Sequence, residues 1–444
     1  MLYQFLKYLF ALTIDSYFRV FKFTGKENVP KSGPIIFVAN HPSTLMDPVV
    51  IATILDKPIH FLAAAEFMGK GLVTKFMQRF IHMIPVFRPN TLPHEASKNA
   101  DVFYKCFEHL GKDGAILIFP EGSSVTAPKL RPLKTGSVRI ALGAEETTGK
   151  TVSIVPIGLN YSNPHQFRSE LYVSIGKPIT SKMEALKDVE PESLAKVFTE
   201  LVQDRLRELV HHLEDERLHG LFGKVKRVLV HELQSKNKRI ASLQEQFEIG
   251  MQVQEGITYY AKHAPGSVAK LSEKLDHYIE RVAFYGVTDA SIAKGNQRVS
   301  LRDYSKLIVG LPVFFIGYFS NILPYYCNEW ITRKLKLDHQ FLGSVIMTLG
   351  LLMYLVWYLT LGFLVFIITD HWWYGLVTVA GMFLAGKFTL KYLSLSQSTY
   401  ETGNWRRTFK RDRNIFKALK IERENIISNL NKYQAEFEQL KKSF

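Results

Sequence analysis

Pro34-Ile35-Ile36-Phe37-Val38-Ala39 runs directly into Asn40-His41. A short apolar run that stops at polar residues reads as a buried strand presenting functional groups at its end. Gly114-Ala115-Ile116-Leu117-Ile118-Phe119 repeats the pattern and stops at Pro120-Glu121-Gly122, and Val152–Ile157 is a third such run. A helical pattern around Ala96–Leu110 lies between them. Strands alternating with helices predict an α/β domain whose buried strands are covered on both faces.

The chain has 444 residues, which suggests two or three domains at roughly 150 residues each. With 47% hydrophobic and 22% charged residues, it is not a disordered chain. Lys and Arg outnumber Asp and Glu by 56 to 41, a net charge of +15 that favours an anionic partner. Two cysteines, Cys106 and Cys327, cannot build a disulfide scaffold and lack metal-ligand spacing, so no metal is expected and a reduced, cytoplasm-facing location fits.

The apolar residues are unevenly spread. Leu307–Asn328 runs 22 residues without a charge and Phe341–Thr369 runs 29, with Trp372–Gly386 following closely. About 20 apolar residues span a bilayer, and 29 helical residues reach ~44 Å, too long for most globular cores. A membrane-embedded C-terminal half follows, with lipid headgroups rather than nucleic acid as the anionic partner.

These readings divide the chain into five parts. Residues 1–23, rich in Leu, Phe and Tyr, form an interfacial amphipathic helix, the alternative being a helix packed on the soluble domain. Residues 24–182 form the α/β region. Residues 183–306 form a helical module, on spacings such as Leu194, Val197, Phe198, Leu201 and Val202. Residues 307–394 are membrane-embedded, and 395–444 form a basic helical tail, either a short coiled coil or a helix packed back on the module.

Basic flanks stay on the cytoplasmic side. The α/β region, Arg333-Lys334-Lys336 and the tail all carry that mark. Leu307–Asn328 is therefore expected to enter and leave on one side, along a path broken at Pro312 and Pro324. Phe341–Thr369 and Trp372–Leu393 then form a crossing hairpin. Three simple crossings are the alternative.

The chemistry concentrates in Asn40-His41-Pro42-Ser43-Thr44-Leu45-Met46-Asp47-Pro48. A histidine at a strand end with an acid close behind can form a base and its orienting carboxylate. Six positions on a helix leave the two side chains ~120° apart, so the pair must meet across an irregular turn. Pro42 is placed to open a helical turn, and Pro48 biases Asp47 away from helical geometry. Two hydrogen-bonded turn residues are the plainer alternative.

Three further segments weigh against that alternative: Val86-Phe87-Arg88, Phe119-Pro120-Glu121-Gly122-Ser123 with Lys134 shortly after, and Val155-Pro156-Ile157. With Asn40-His41 and Asp47, these four blocks resemble, in order and interval, the PlsC-type glycerolipid acyltransferase family. The resemblance covers about Gly25–Pro178. Five residues separate His41 from Asp47 where the usual block has four; the Asn-His-Pro…Asp-Pro form resembles a subgroup acting on glycerol 3-phosphate or dihydroxyacetone phosphate.

The resemblance implies an α/β acyltransferase domain followed by a helical module and membrane-embedded C-terminal helices. His41 and Asp47 would be catalytic. Arg88, Glu121, Gly122, Ser123 and Lys134 would bind substrate: Arg88 and Lys134 an acceptor phosphate, and Glu121 either a glycerol hydroxyl or a cation. Ser123-Ser124 stand where Thr-Arg often follows Glu-Gly, leaving Lys129, Arg131 or Lys134 to replace that arginine. No cofactor is expected. The partners are membrane lipids, an acyl thioester (acyl-CoA or acyl-carrier protein) and a phosphorylated glycerol or lysolipid, with the catalytic domain on the cytoplasmic side. A non-catalytic lipid-binding membrane scaffold is the reading from a different class.

Overall fold

The computed structural model describes residues 2–68, 71, 75, 78, 79, 81–88, 91, 93–237, 239–295 and 300–442. The ends of the expected 1–23 and 395–444 segments, 296–299 of the helical module and parts of 69–92 lie outside these residues. Two compact units emerge, Met1–His212 with Leu335–Thr348, and Leu213–Lys334 with Leu349–Phe444.

The first unit is built on a seven-stranded sheet among the described residues: β1 (Val20–Thr24), β2 (Ile35–Ala39), β3 (His60–Ala64), β4 (Met83–Val86), β5 (Ala115–Ile118), β6 (Ser153–Tyr161) and β7 (Glu170–Ile175). Their order is β1-β7-β6-β2-β5-β3-β4, parallel except for the β6–β7 pair. All five residues of β2 are buried, as a central parallel strand requires. Ile35, Phe37 and Ala39 face one core with α1 (Leu2–Tyr17) and α2 (Met46–Ile54). Ile36 and Val38 face the other, with α3 (Asn99–Gly111), α4 (Gly136–Thr148) and α5 (Pro191–Arg207). The expected α/β layering is what the chain forms.

Several expected boundaries move. The N-terminal helix stops at Tyr17 and the chain enters the sheet as β1, so the boundary at 23 falls inside a strand. Ile14, Tyr17 and Phe18 are buried in the first core, while Leu2, Phe5 and Tyr8 are exposed. The helix is therefore packed on the domain along its last turns. The boundary at 182 also moves: Phe198, Val202 and Leu206 of α5 belong to the sheet's second core, and the break comes at His212. No local pattern separates a helix that covers a sheet from one that joins a bundle; both show the same apolar stripe.

The second unit holds α6 (His219–Asn237), α7 (Leu243–His263), α8 (Pro265–Phe284), α9 (Asp289–Lys294), α10 (Leu301–Lys334), most of α11 (His339–Thr369), α12 (Trp372–Arg411) and α13 (Arg413–Lys442). Phe416, Leu419, Ile426, Ile427 and Leu430 of α13 share one core with Leu221, Val225, Val228, Leu275 and Tyr278. The tail thus packs back on the module and is not a free coiled coil. Buried Arg423 anchors it, its Nε donating to Asp289 Oδ1 at 2.9 Å and its Nη1 to Glu232 Oε2 at 2.6 Å. Tyr278 and His231 complete the partners of Asp289. A buried charge retained in a helical core needs such pairing.

Helices α10, α11 and α12 are long and apolar enough to cross a membrane, which marks the chain as membrane-associated. The broken path expected within Leu307–Asn328 is not formed. Pro312 and Pro324 both lie inside one continuous helix of 34 residues. Each proline removes one backbone hydrogen bond, and the turns on either side carry the helix through.

Candidate active site

The parallel strands β2, β5 and β6 end side by side, and their C-terminal ends carry the polar residues, as open α/β sheets place their sites. Asn40 fixes the end of β2: its side-chain amide donates to Leu159 O at 3.0 Å and accepts from Leu159 N at 2.7 Å. The ladder to β6 is thereby extended one residue past the strand.

His41 follows, with Nδ1 2.8 Å from Asp47 Oδ2. The turn between them is irregular, as the spacing demanded. The helix opens at Met46, however, not at Pro42, and Asp47 and Pro48 both occupy its first turn. There the missing N–H of Pro48 costs nothing, because first-turn amides have no partner within the helix. Within this turn Thr44 is held in the left-handed region, at φ 32°.

Asp47 is fully buried. It is satisfied by three donors: His41 Nδ1, the Ser43 N–H at 2.8 Å and the Tyr161 hydroxyl at 2.7 Å. Such a carboxylate holds the imidazole as the Nδ1–H tautomer and leaves Nε2 to take a proton. The His41 ring stacks on Phe119, with centroids 4.1 Å apart, which fixes its plane. Burial, followed by the Asp47 charge, pushes the Tyr161 hydroxyl well above its ordinary pKa, so it stays a donor throughout the neutral range.

The segment after β5 braces this turn. Glu121 Oε1 accepts the His41 N–H at 2.8 Å, Ser124 Oγ accepts the Thr44 N–H at 3.0 Å, and Thr126 Oγ1 donates to Pro42 O at 2.6 Å. Glu121 Oε2 meets Arg131 N at 3.1 Å and Nε at 3.2 Å. Of the two roles expected for Glu121, the structure therefore forms the cation pair: the side chain is buried with both oxygens engaged. Arg131 also grips Ser123, through Oγ at 2.6 Å and through its carbonyl. Ser123 and Arg131 thus shape the loop.

The two expected phosphate cations fall in different places. Arg88 follows β4 and pairs with Glu66 at 3.4 Å. β4 is three strands from β2, about 14 Å along the sheet at ~4.8 Å per strand. Lys134 lies against Gly122: a Cβ on Gly122 would sit 2.6 Å from Lys134 Nζ. Gly122 also holds φ +77°, so glycine is required there twice over. Lys134 thus lies next to the loop that bonds His41.

The sequence did not point to Tyr161 or to a second contributor, Ser344. The first turns of α11 belong to this unit, and Ser344 Oγ accepts the Met46 N–H at 3.0 Å, donates to Ser43 O at 3.0 Å and lies 2.8 Å from Thr44 Oγ1. Gly343 lets this helix approach the Pro164 carbonyl, which a Cβ would meet at 2.1 Å. The only sequence signal is two small residues, Gly343-Ser344, in an otherwise bulky apolar segment.

Comparison with known proteins bears on this geometry. Residues 20–160 match the family model Acyltransferase. Glycerol-3-phosphate O-acyltransferase 1 of Saccharomyces cerevisiae is 39% identical over 111 residues, 24% of this chain and 14% of that protein. Glycerol-3-phosphate O-acyltransferase 2 of the same yeast is 37% identical over 112 residues, 24% of this chain and 15% of that protein. The matched part thus spans about a seventh of each yeast relative's length. The 1-acyl-sn-glycerol-3-phosphate acyltransferase of Borreliella burgdorferi is 26% identical over 189 residues, 41% of this chain and 70% of that protein. The crystal structure of the 1-acyl-sn-glycerophosphate acyltransferase PlsC from Thermotoga maritima aligns at 23% identity with TM-score 0.34, covering 46% of this chain and 78% of that one. Residues 20–160, which match the Acyltransferase family model, carry the His41–Asp47 pair.

Proposed function

We propose that this chain is a membrane-bound O-acyltransferase of glycerolipid synthesis. It moves a fatty acyl group from an acyl thioester, acyl-CoA or acyl-carrier protein, to a hydroxyl of glycerol 3-phosphate or 1-acylglycerol 3-phosphate. The observation that carries the reading is the His41–Asp47 pair, 2.8 Å apart at the end of β2 within an acyltransferase domain. The names of the yeast and Borreliella relatives support the acceptor class.

His41 Nε2 takes the acceptor's hydroxyl proton as its oxygen attacks the thioester carbonyl carbon. The imidazolium is stabilised by buried Asp47. The tetrahedral oxyanion collapses, the carbon–sulfur bond breaks, and the thiolate takes the proton back from His41. Ester and thiol leave with the protein unchanged, so the cycle requires no covalent enzyme intermediate and no bound cofactor. Lys134 binds the acceptor phosphate from beside Gly122. The catalytic domain faces the cytoplasm, the side on which basic flanks stay.

The test is acyl transfer by the purified full chain from either thioester to glycerol 3-phosphate and lysophosphatidate in parallel, with His41→Ala as control. Ester formed with one phosphorylated acceptor and lost in the variant is the expected result. Transfer only to an uncharged or differently headed lysolipid would move the acceptor. Lipid binding without turnover by the native chain would make it a scaffold and sink the catalytic reading.

A further inference from the structure

The Pro42 carbonyl and the Ser43 N–H are the two ends of one peptide plane. Thr126 Oγ1 donates to the carbonyl at 2.6 Å, and the N–H donates to Asp47 Oδ2 at 2.8 Å. A trans peptide is planar, with its carbonyl and its N–H pointing in opposite directions. The group that holds the Pro42 carbonyl therefore also aims the Ser43 N–H. That N–H lands on the same carboxylate oxygen that holds His41 Nδ1.

Thr126 has a second partner. His165 Nε2 lies 3.0 Å from Thr126 Oγ1, whose single proton is already given to Pro42 O. His165 is then the donor, in the Nε2–H tautomer. Burial, followed by neighbouring His339, holds its pKa at about 4, so the ring is neutral at neutral pH. Hydrogen bonds thus run in one direction, from His165 through Thr126 and the Pro42–Ser43 peptide to Asp47. Each donor in such a series polarises the next.

The imidazole is fixed from several sides. It is 8% exposed, and His339, the first residue of α11, packs edge-on against it with centroids 4.0 Å apart. Asn163 Oδ1 accepts the His165 N–H at 3.1 Å, and the Tyr17 hydroxyl donates to Pro164 O at 3.1 Å. Nδ1 is buried without a hydrogen-bond partner among the described residues. Burying that nitrogen costs free energy, and the polar contact made in return is the one to Thr126.

We propose that His165 is a positioning residue for acyl transfer: through Thr126 it orients the Pro42–Ser43 peptide, and so holds Asp47 and the His41 imidazole in place for proton transfer. This rests on the acyl-transfer reading above. His165 itself touches neither the substrates nor the reacting atoms. Breaking the relay loosens the base and leaves the substrate sites as they are, so kcat carries the effect and KM does not.

The test is steady-state acyl transfer by the purified full chain, with melting temperatures taken on the same preparations. His165→Leu and Thr126→Val should each lower kcat about tenfold, with KM for thioester and acceptor nearly unchanged. The double variant should be no slower than the slower single one, because both break the same relay. His165→Gln, whose amide nitrogen reaches the place of Nε2, should recover most of the rate. A lower melting temperature with native kcat means that His165 only packs, and overturns the proposal. Additive losses in the double variant overturn it too, as does His165→Gln no faster than His165→Leu. Should His165→Leu fail to fold, His165→Asn, whose amide is too short to reach Thr126, replaces it in the comparison. Variants that match a working native chain sink this proposal alone; a native chain that transfers no acyl group sinks the acyl-transfer reading and the proposal with it.

Discussion

The Tyr161 hydroxyl donates to Asp47 Oδ1 at 2.7 Å, while the other oxygen of that carboxylate holds His41. A tyrosine at the end of β6 thus sets the orientation of the carboxylate that holds the His41 imidazole. Tyr161→Phe leaves one oxygen of a buried carboxylate without its donor, a loss of about 1–3 kcal/mol. We expect a lower melting temperature and a fall of several-fold or more in kcat, measured on the same preparation; unchanged kcat would show that the two remaining donors suffice.

The dyad itself is tested by His41→Ala and Asp47→Asn. A positioned general base contributes typically ~10²–10⁴-fold, so His41→Ala should lose turnover on that scale with little change in melting temperature. Asp47→Asn should also lose much of the rate, through the wrong imidazole tautomer. Single-turnover acyl transfer measures both.

Lys134→Ala should raise KM for a phosphorylated acceptor while leaving KM for the thioester nearly unchanged, because it removes ground-state phosphate binding. Arg88→Ala should do so less, since Arg88 is paired with Glu66 and lies three strands from β2. A larger effect from Arg88 in steady-state kinetics would reverse this assignment. Gly122→Ala should impair the same step as Lys134→Ala, since a Cβ there displaces the ammonium.

Ser344→Ala removes both the acceptor for the Met46 N–H and the donor to Ser43 O. Orphaning a buried group costs ~1–3 kcal/mol. We expect kcat to fall with little change in either KM, because the turn carrying Asp47 is loosened while the substrate sites remain. Ser344→Thr, which keeps the hydroxyl, should restore part of the rate.

Stability should fall as pH drops from about 6.5 towards 4. Burial, aided by His109 and His82, holds His60 down to about 4, and burial with neighbouring His339 does the same for His165. Both remain neutral in the folded chain while the unfolded chain takes up protons below about 6.5. Their contribution is fully present above that pH and is lost as pH falls through the window. Melting temperatures at pH 7.5 and pH 5 should diverge less in His60→Gln than in the native chain.

The sequence by itself determined the alternation of strands and helices, the chemical identity of His41 and Asp47, and the three long apolar segments, though not that the first of them is one unbroken helix. Each of these is written in neighbouring residues: an apolar run that stops at Asn40-His41, an acid within one turn, and uncharged stretches longer than a bilayer core. Tertiary structure decided what those residues meet. Tyr161, Glu121 and Ser344 converge on the His41–Asp47 turn from 80 to 300 positions away in the chain. That convergence depends on strand order and on which helix covers which face. Tyr17 ending a helix one strand early, and α5 covering the sheet instead of joining the bundle, turn on the same choice. An amphipathic stripe states that a surface must be buried; only the folded chain supplies its partner, because burial lowers the free energy wherever apolar area is removed from water and is blind to distance along the sequence.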